Sequence, residues 1–503
     1  MYLYYLFNIL IFLTNSLFLH KFLHIYQLKD YQNKRYFKYF FNIKSIFILF
    51  CFILFIFELF IKNILFYLVA NFFVYLLNLI YLKNLIKSSK TPLKFTGKLS
   101  RLYIISIFIL STLCFYKHAF PLFVIISILL PVISNFINVY DKIRNQHFIH
   151  KAKNKLKNSP VQTIAITGSN GKTSVKNILN VMLSTQFKSQ ATPKSFNTPL
   201  GIAKFINNDL KYETEFLILE YGARHKKDIQ KLCNKFDANY GVITTISPQH
   251  LESFKSVENI FYAKKKLSSH LQNKLCIYNI DNIYCKRMFD EKTGEKISTS
   301  IHQNANVFAD NIKLQNLKTQ FDLHLNNQTF TLQTSLLGMH NITNICLAAA
   351  LASFLEVSDE NIISTIKNLQ PVEHRLSLIQ THINILDDSY NCSPASAKEA
   401  LWVLKNSPGK KMIITPGIIE CGKEKYNINF ELGKKLAHFD YIVIIGNENK
   451  QTIELGIKKE IEDKNLQPQI LFANSLDNAK QYFSKLNHGD TILLLNDLPD
   501  DYK

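Results

Sequence analysis

Thr167-Gly168-Ser169-Asn170-Gly171-Lys172-Thr173 closes one element of this chain and opens another. Ahead of it, Gln162 to Ile166 reads as an apolar strand. Behind it, Val175, Ile178, Leu179 and Met182 recur at i, i+3, i+4 and i+7, the single apolar stripe of an amphipathic helix. Glycines between a strand and a helix let backbone N–H groups turn inward around a phosphate, and the helix N-terminus adds partial positive charge there. Gly168, Ser169, Asn170 and Gly171 would form that loop, with Ser174 in the first helical turn. Lys172 would reach the terminal phosphates and the Thr173 hydroxyl would hold Mg²⁺. The pattern therefore predicts a nucleoside triphosphate site that spends ATP, with Lys172 catalytic. It departs from G-x-x-x-x-G-K-[ST] at Ile166, where that pattern has its first glycine.

A chain of 503 residues has room for about three domains at roughly 150 residues each. Its formal charge of +21 accompanies an abundance of Lys, Ile, Asn and Phe, and much of the basic excess flanks apolar segments, so no nucleic-acid partner follows. The eight cysteines (51, 114, 233, 276, 285, 346, 392 and 421) are scattered without a C-x-x-C pair. Two fall in apolar segments and the rest read as isolated thiols of a reducing cytoplasm, so neither zinc nor a disulfide framework is supported.

Residues 1–140 differ from the rest. Apolar stretches at about 2–20, 45–61, 64–82, 103–116 and 119–139 approach the ~20 residues that span hydrocarbon. Basic residues crowd the connections 21–44 and 83–102 and the stretch after the last apolar segment. By the positive-inside rule, these predict about five helices in a bacterial inner membrane, multi-pass, with the N-terminus outside and the catalytic domains cytoplasmic. A basic linker, 141–159, would join the lipid bilayer region to the enzyme.

From about 160 onward, apolar strands alternate with helical patterns, the signature of α/β domains on largely parallel sheets. A boundary is expected near Pro371, after the helical stretch 341–368 and before a strand at Ile383–Leu386. The expected fold is thus a transmembrane helical region followed by α/β. It comprises a P-loop ATPase-type central domain, 160–370, and a Rossmann-like C-terminal domain, 371–503. The strand Phe216 to Leu219 ends in Glu220, and the strand Tyr240 to Ile246 is followed by His250. In doubly wound sheets ligands bind beyond the carboxyl ends of strands, which puts Glu220 and His250 on the side of Lys172 as candidate metal ligands. Lys264 lies in Ala263-Lys264-Lys265-Lys266, on a helix starting near Val257.

These features, in this order, resemble the Mur ligase family of amide-forming enzymes. Beyond the loop, the resemblance runs through Ser195-Phe196-Asn197-Thr198-Pro199-Leu200-Gly201, Glu220-Tyr221-Gly222-Ala223 with Asp228-Ile229, and Asn279-Ile280-Asp281. It continues in Gly338-Met339-His340-Asn341-Ile342-Thr343-Asn344, His374-Arg375-Leu376 and Pro416-Gly417-Ile418-Ile419-Glu420-Cys421-Gly422. Asp387-Asp388-Ser389-Tyr390-Asn391-Cys392-Ser393-Pro394 is similar to the D-D-S-Y-N-x-N-P signature of the branch that adds D-alanyl-D-alanine to a UDP-N-acetylmuramoyl tripeptide. The resemblance implies an acyl phosphate made from ATP and captured by the dipeptide amine, in peptidoglycan precursor synthesis. It further implies two Mg²⁺ ions held by Thr173, Glu220 and His250, and a carbamate on Lys264 that would bridge them. Asn279, His340, Asn341, Arg375 and Asp388 would line the nucleotide. Asn197, Ser389, Tyr390 and Asn391 would contact substrate. An open alternative is a related ligase with another acceptor or a lipid-linked substrate. Two departures stand out: Leu495-Asn496-Asp497-Leu498 where the family has K-G-S, and an apolar region where it has a UDP-gripping domain. The latter suggests membrane-bound cell-wall enzymes as partners.

Overall fold

Runs such as Ile164-Ala165-Ile166 and Leu217-Ile218-Leu219 carry no polar face, so they fit strands covered on both sides by helices. The computed structural model describes residues 2–29, 31–42, 93, 95–115, 122–193, 196–249, 251–389, 392–419, 421 and 424–496. The chain divides into two units, 1–147 and 148–503.

In the larger unit the first sheet is built from β1 (Gln162–Thr167), β2 (Ser189–Ala191), β3 (Phe216–Glu220), β4 (Tyr240–Ile243), β5 (Cys276–Asn279), β6 (Lys296–Ser300), β7 (Val307–Gln315), β8 (Lys318–Leu325) and β9 (Gln328–Thr334). Their spatial order is β2-β3-β1-β4-β5-β6-β7-β8-β9. All pairs are parallel through β7; β8 and β9 then extend the sheet as antiparallel hairpins. Ile166 of β1 lies opposite both Glu220 and Val242, so the three strands that flank the glycine loop end level with one another. One apolar cluster packs Ile164, Ile166, Ile218 and Val242 against the stripe Val175, Ile178, Leu179 and Met182. Ala165, Leu217, Leu219 and Ile243 point into a second cluster on the opposite face.

The second sheet contains β10 (Ser377–Gln380), β11 (Asn384–Asp388), β12 (Lys411–Thr415), β13 (Tyr441–Ile445), β14 (Gln469–Ala473) and β15 (Thr491–Leu495), in the order β10-β11-β15-β12-β13-β14. Only β10 pairs antiparallel. Here β12 ends just ahead of Gly417, and β11 ends at Asp388.

The smaller unit corrects the membrane expectation. Among the described residues, no helix is long and apolar enough to cross a membrane. The described parts of the apolar runs expected at 2–20, 103–116 and 119–139 fall in the helices Tyr2–Leu28, Gly97–Phe115 and Leu122–Lys157; those expected at 45–61 and 64–82, with residues 116 and 119–121, lie outside the described residues. Polar side chains interrupt these helices and find partners within the unit. Lys98 Nζ donates to Asn138 Oδ1 at 2.8 Å, and Arg101 grips both oxygens of Asp141 at 2.8 Å. Leu19, Leu23, Leu99, Leu102, Leu110 and Leu130 pack on one another as a core. A multi-pass membrane location is therefore withdrawn. The stretch expected as a linker, 141–159, is mostly the last turns of the helix ending at Lys157. In the larger unit, Ile149 and Ala152 join the second cluster, and Lys155 Nζ donates to Ile206 and Leu210 carbonyls at 2.7 and 3.0 Å.

Leu179 is fully buried beneath the sheet. Leu179→Ala is expected to lower the unfolding free energy by about 2–5 kcal/mol in urea titrations. A loss under about 1 kcal/mol would show that the stripe is not the interior face.

Candidate active site

Where β1 ends, the chain must reverse into the helix Lys172–Leu183 within four residues. Gly171 makes this possible with φ 82°, and it caps the helix without a side-chain bond. The N–H groups of Lys172, Thr173 and Ser174 therefore open a positively polarised helix start to an anion. A Cβ at Gly168 would stand 1.8 Å from Thr244 Oγ1, and one at Gly171 2.5 Å from Asn344 Oδ1. Ser169 and Asn170 brace the loop from outside. Ser169 N donates to Thr245 O at 2.6 Å, its hydroxyl donates to Ser247 O at 3.1 Å, and Asn170 Nδ2 donates to Ser247 Oγ at 3.3 Å.

The charges beneath this loop are concentrated. Lys172 Nζ folds back onto the Gly168 and Ser169 carbonyls, both at 2.9 Å. Lys264 Nζ donates to the same Gly168 oxygen at 2.7 Å, from the helix Val257–His270. Burial pushes the Lys264 amine well below the ordinary lysine range, and the Lys172 ammonium pushes it further, while Cys285 and Glu220 oppose. Burial lowers Lys172 as well, against the pull of Glu220 and with a push from Arg375. Lys176, 1% exposed, donates to Thr192 O at 2.6 Å and lies 3.9 Å from Glu220 Oε2.

Glu220, at the carboxyl end of β3, is 1% exposed. Thr173 Oγ1 donates to its Oε2 at 2.8 Å, and Asn197 Nδ2 donates to its Oε1 at 3.0 Å. A hydroxyl and a carboxylate side by side are the hard oxygen donors that Mg²⁺ takes together with phosphate and water. Among the described residues, no group of three His, Cys, Asp or Glu side chains forms a self-sufficient metal site. The donor set thus fits an ion that arrives with its nucleotide. His250 lies outside the described residues.

The remaining expected residues divide. Asn279 accepts from Asp281 N at 3.1 Å, and Asn341 Nδ2 donates to Leu337 O at 2.8 Å. His340, Arg375 and Asp388 come together: burial raises the Asp388 carboxyl to about 6, with His340 and Arg375 opposing. Arg375 also acts electrostatically on Lys172. It sits between His374 and Leu376, which both take left-handed backbone, φ 60° and 52°. Ser389 turns inward, its hydroxyl donating to Asp387 Oδ1 at 2.6 Å, while His374 Nδ1 lies 2.7 Å from Asp387 Oδ2. Tyr390 and Asn391 lie outside the described residues.

Three contributors have no pattern in the sequence. Thr244 packs under Gly168. Asn496 replaces a family position, yet its N–H donates to Asp388 O at 3.1 Å and its amide to Gly417 O at 2.9 Å, joining two loops of the second sheet. Glu399 accepts from Met339 N at 3.0 Å. Only a folded chain brings these together.

Residues 166–352 match the Mur ligase middle domain. The chain is similar to that family over this segment. It is similar to the UDP-N-acetylmuramoyl-tripeptide–D-alanyl-D-alanine ligase of Buchnera aphidicola subsp. Baizongia pistaciae, 31% identical over 59% of this chain and 65% of that one. It is 28% identical to the Escherichia coli enzyme of the same name, over 61% of this chain and 69% of its relative. The chain thus spans about two thirds or slightly less of the curated relatives it matches. In fold it is similar to the MurF ligase of Thermotoga maritima solved in complex with ADP, with TM-score 0.63 and 23% identity over 70% of this chain and 80% of that chain. The architecture is accordingly the Mur ligase α/β fold with parallel sheets.

Asp388 holds a proton more tightly in the folded chain than in the unfolded one. Between the ordinary carboxylate range and about 6 the native state binds more protons, so rising pH through that window removes stability. Asp388→Asn is expected to raise the unfolding free energy at pH 7 by about 1–3 kcal/mol and to leave it unchanged near pH 4. Thermal melts at the two pH values check this.

Proposed function

We propose that the chain is an ATP-dependent, ADP-forming carboxylate–amine ligase that adds D-alanyl-D-alanine to a UDP-N-acetylmuramoyl tripeptide, a step of peptidoglycan precursor synthesis. The observation that carries this reading is the convergence of Lys172 and Lys264 on the Gly168 carbonyl, beside an open helix start and the Thr173–Glu220 pair. The names of its relatives supply the substrates.

In this reading a carboxylate oxygen of the tripeptide attacks the γ-phosphorus of ATP and the bond to ADP breaks. The dipeptide amine then attacks the acyl carbon, phosphate leaves, and the amine gives up a proton to form the amide. The protein need supply no covalent chemistry; alignment and charge neutralisation suffice. Lys172 would offset charge gathering on the transferred phosphoryl group, and the N–H groups of the helix start would hold its neighbours. Thr173 and Glu220 would hold Mg²⁺, which screens the phosphate oxygens; a second ion belongs to the same proposal. Arg375 would turn from Lys172 toward phosphate, and Asp388 with His340 would face the ribose side. Asn197 would hold Glu220 in place beside the acceptor. A neutral Lys264 amine also suits reaction with CO₂, which forms an N–C bond and releases a proton. The carbamate so made would place an anion next to Lys172.

The test is ADP and phosphate release by the full chain with Mg-ATP, muramoyl tripeptide and D-alanyl-D-alanine. Release is expected to require both co-substrates and to fall at least about a hundredfold in Lys172→Ala. Phosphate release indifferent to the dipeptide would reject amide ligation.

A further inference from the structure

The helix Met339–Phe354 begins at Gly338, whose φ of 90° and lack of a side chain leave it without a cap of its own. A side chain could not be added there, because a Cβ would stand 2.9 Å from the His340 ring. The first N–H groups of the helix consequently need an acceptor from elsewhere. Glu399 provides it from the helix Pro394–Lys405, which belongs to the second sheet. Its Oε2 accepts from Met339 N at 3.0 Å and stands 3.9 Å from His340 Nδ1. Burial would raise this carboxyl, but the His340 contact and the Met339 and His340 backbone hold it below the usual range. An ionised carboxylate at a helix N-terminus is also favoured by the helix dipole.

The far side of the same helix start touches the phosphate loop. Asn344 Nδ2 donates to Asn341 Oδ1 at 3.4 Å, and Asn344 Oδ1 fills the space beside Gly171. His340, one residue from the Glu399 contact, acts on Asp388. One carboxylate on the second sheet therefore fixes both the wall of the phosphate loop and the histidine facing Asp388.

We propose that Glu399 is a positioning residue for the nucleotide, supplying from the second sheet the cap that sets His340 and Asn344 in their places. It touches neither phosphate nor ribose in this role. The inference rests on the nucleotide reading above, and it concerns affinity rather than chemistry.

The experiment measures ADP affinity by calorimetry with Mg²⁺ present, the KM values of ATP and D-alanyl-D-alanine, and kcat, in the full chain carrying Glu399→Ala or Glu399→Gln. For the alanine variant, ADP Kd and ATP KM are expected to rise about 5- to 30-fold, the lower part of the range of coupling between linked sites. The dipeptide KM and kcat should change less than about threefold. Glutamine keeps an oxygen for the Met339 N–H and should fall between alanine and the parent, which also preserves the test if the alanine variant does not fold. Lys398→Ala, exposed on the same helix, is expected to leave ADP affinity unchanged. Unchanged ADP affinity in both Glu399 variants would overturn the inference, as would equal losses for ADP and dipeptide. A parent chain that binds no ADP at all would instead remove the nucleotide reading on which it rests.

Discussion

The carbonyl oxygen of Gly168 is the point on which this site turns. Two amines from different helices converge on it, and neither glycine of the loop can be enlarged without striking Thr244 or Asn344. The loop is therefore held from below by lysines, from one side by the exit of β4 and from another by the helix Met339–Phe354. This preorganisation leaves Asn170 and the helix start facing outward. A loop fixed in this way binds without first having to order itself, which is where much of the affinity for a small anion arises.

The electrostatics lead to the same place. Lys172, Lys176 and Lys264 are gathered around the single carboxylate of Glu220, with Arg375 close enough to disfavour two of them further. Cations held out of water without matching anions are costly. A polyphosphate in the place proposed for it would supply negative charge there. The same imbalance keeps one amine readily neutral.

Strand, loop and helix around Lys172 were legible because one short motif carried both periodicities and a glycine signal. Glu220 was legible because it ends a run with no polar face. The hairpins of β7 to β9 were less so: their turns rest on Asn316-Leu317 and Asn326-Asn327 in left-handed backbone, and only the second is a familiar hairpin signal. The helical stretch expected at 341–368 is two helices, broken where Glu356 takes φ 65°. The N-terminal unit misled for a different reason. Counting apolar residues along a window does not register where the polar ones go, and Lys98, Arg101 and Asp141 meet partners on neighbouring helices. Glu399 and Asn496 act through contacts made 60 and 108 residues away along the chain, beyond any local pattern.

Arg375 stands on an unusual mounting. The residues on either side of it both occupy left-handed backbone, at about 1–2 kcal/mol each for a residue that carries a Cβ. The crossing from one sheet to the other thus carries Arg375 between two backbone positions held under tension. Local backbone tension and the seat of this cation therefore meet in one three-residue segment of two ordinary residues around an arginine.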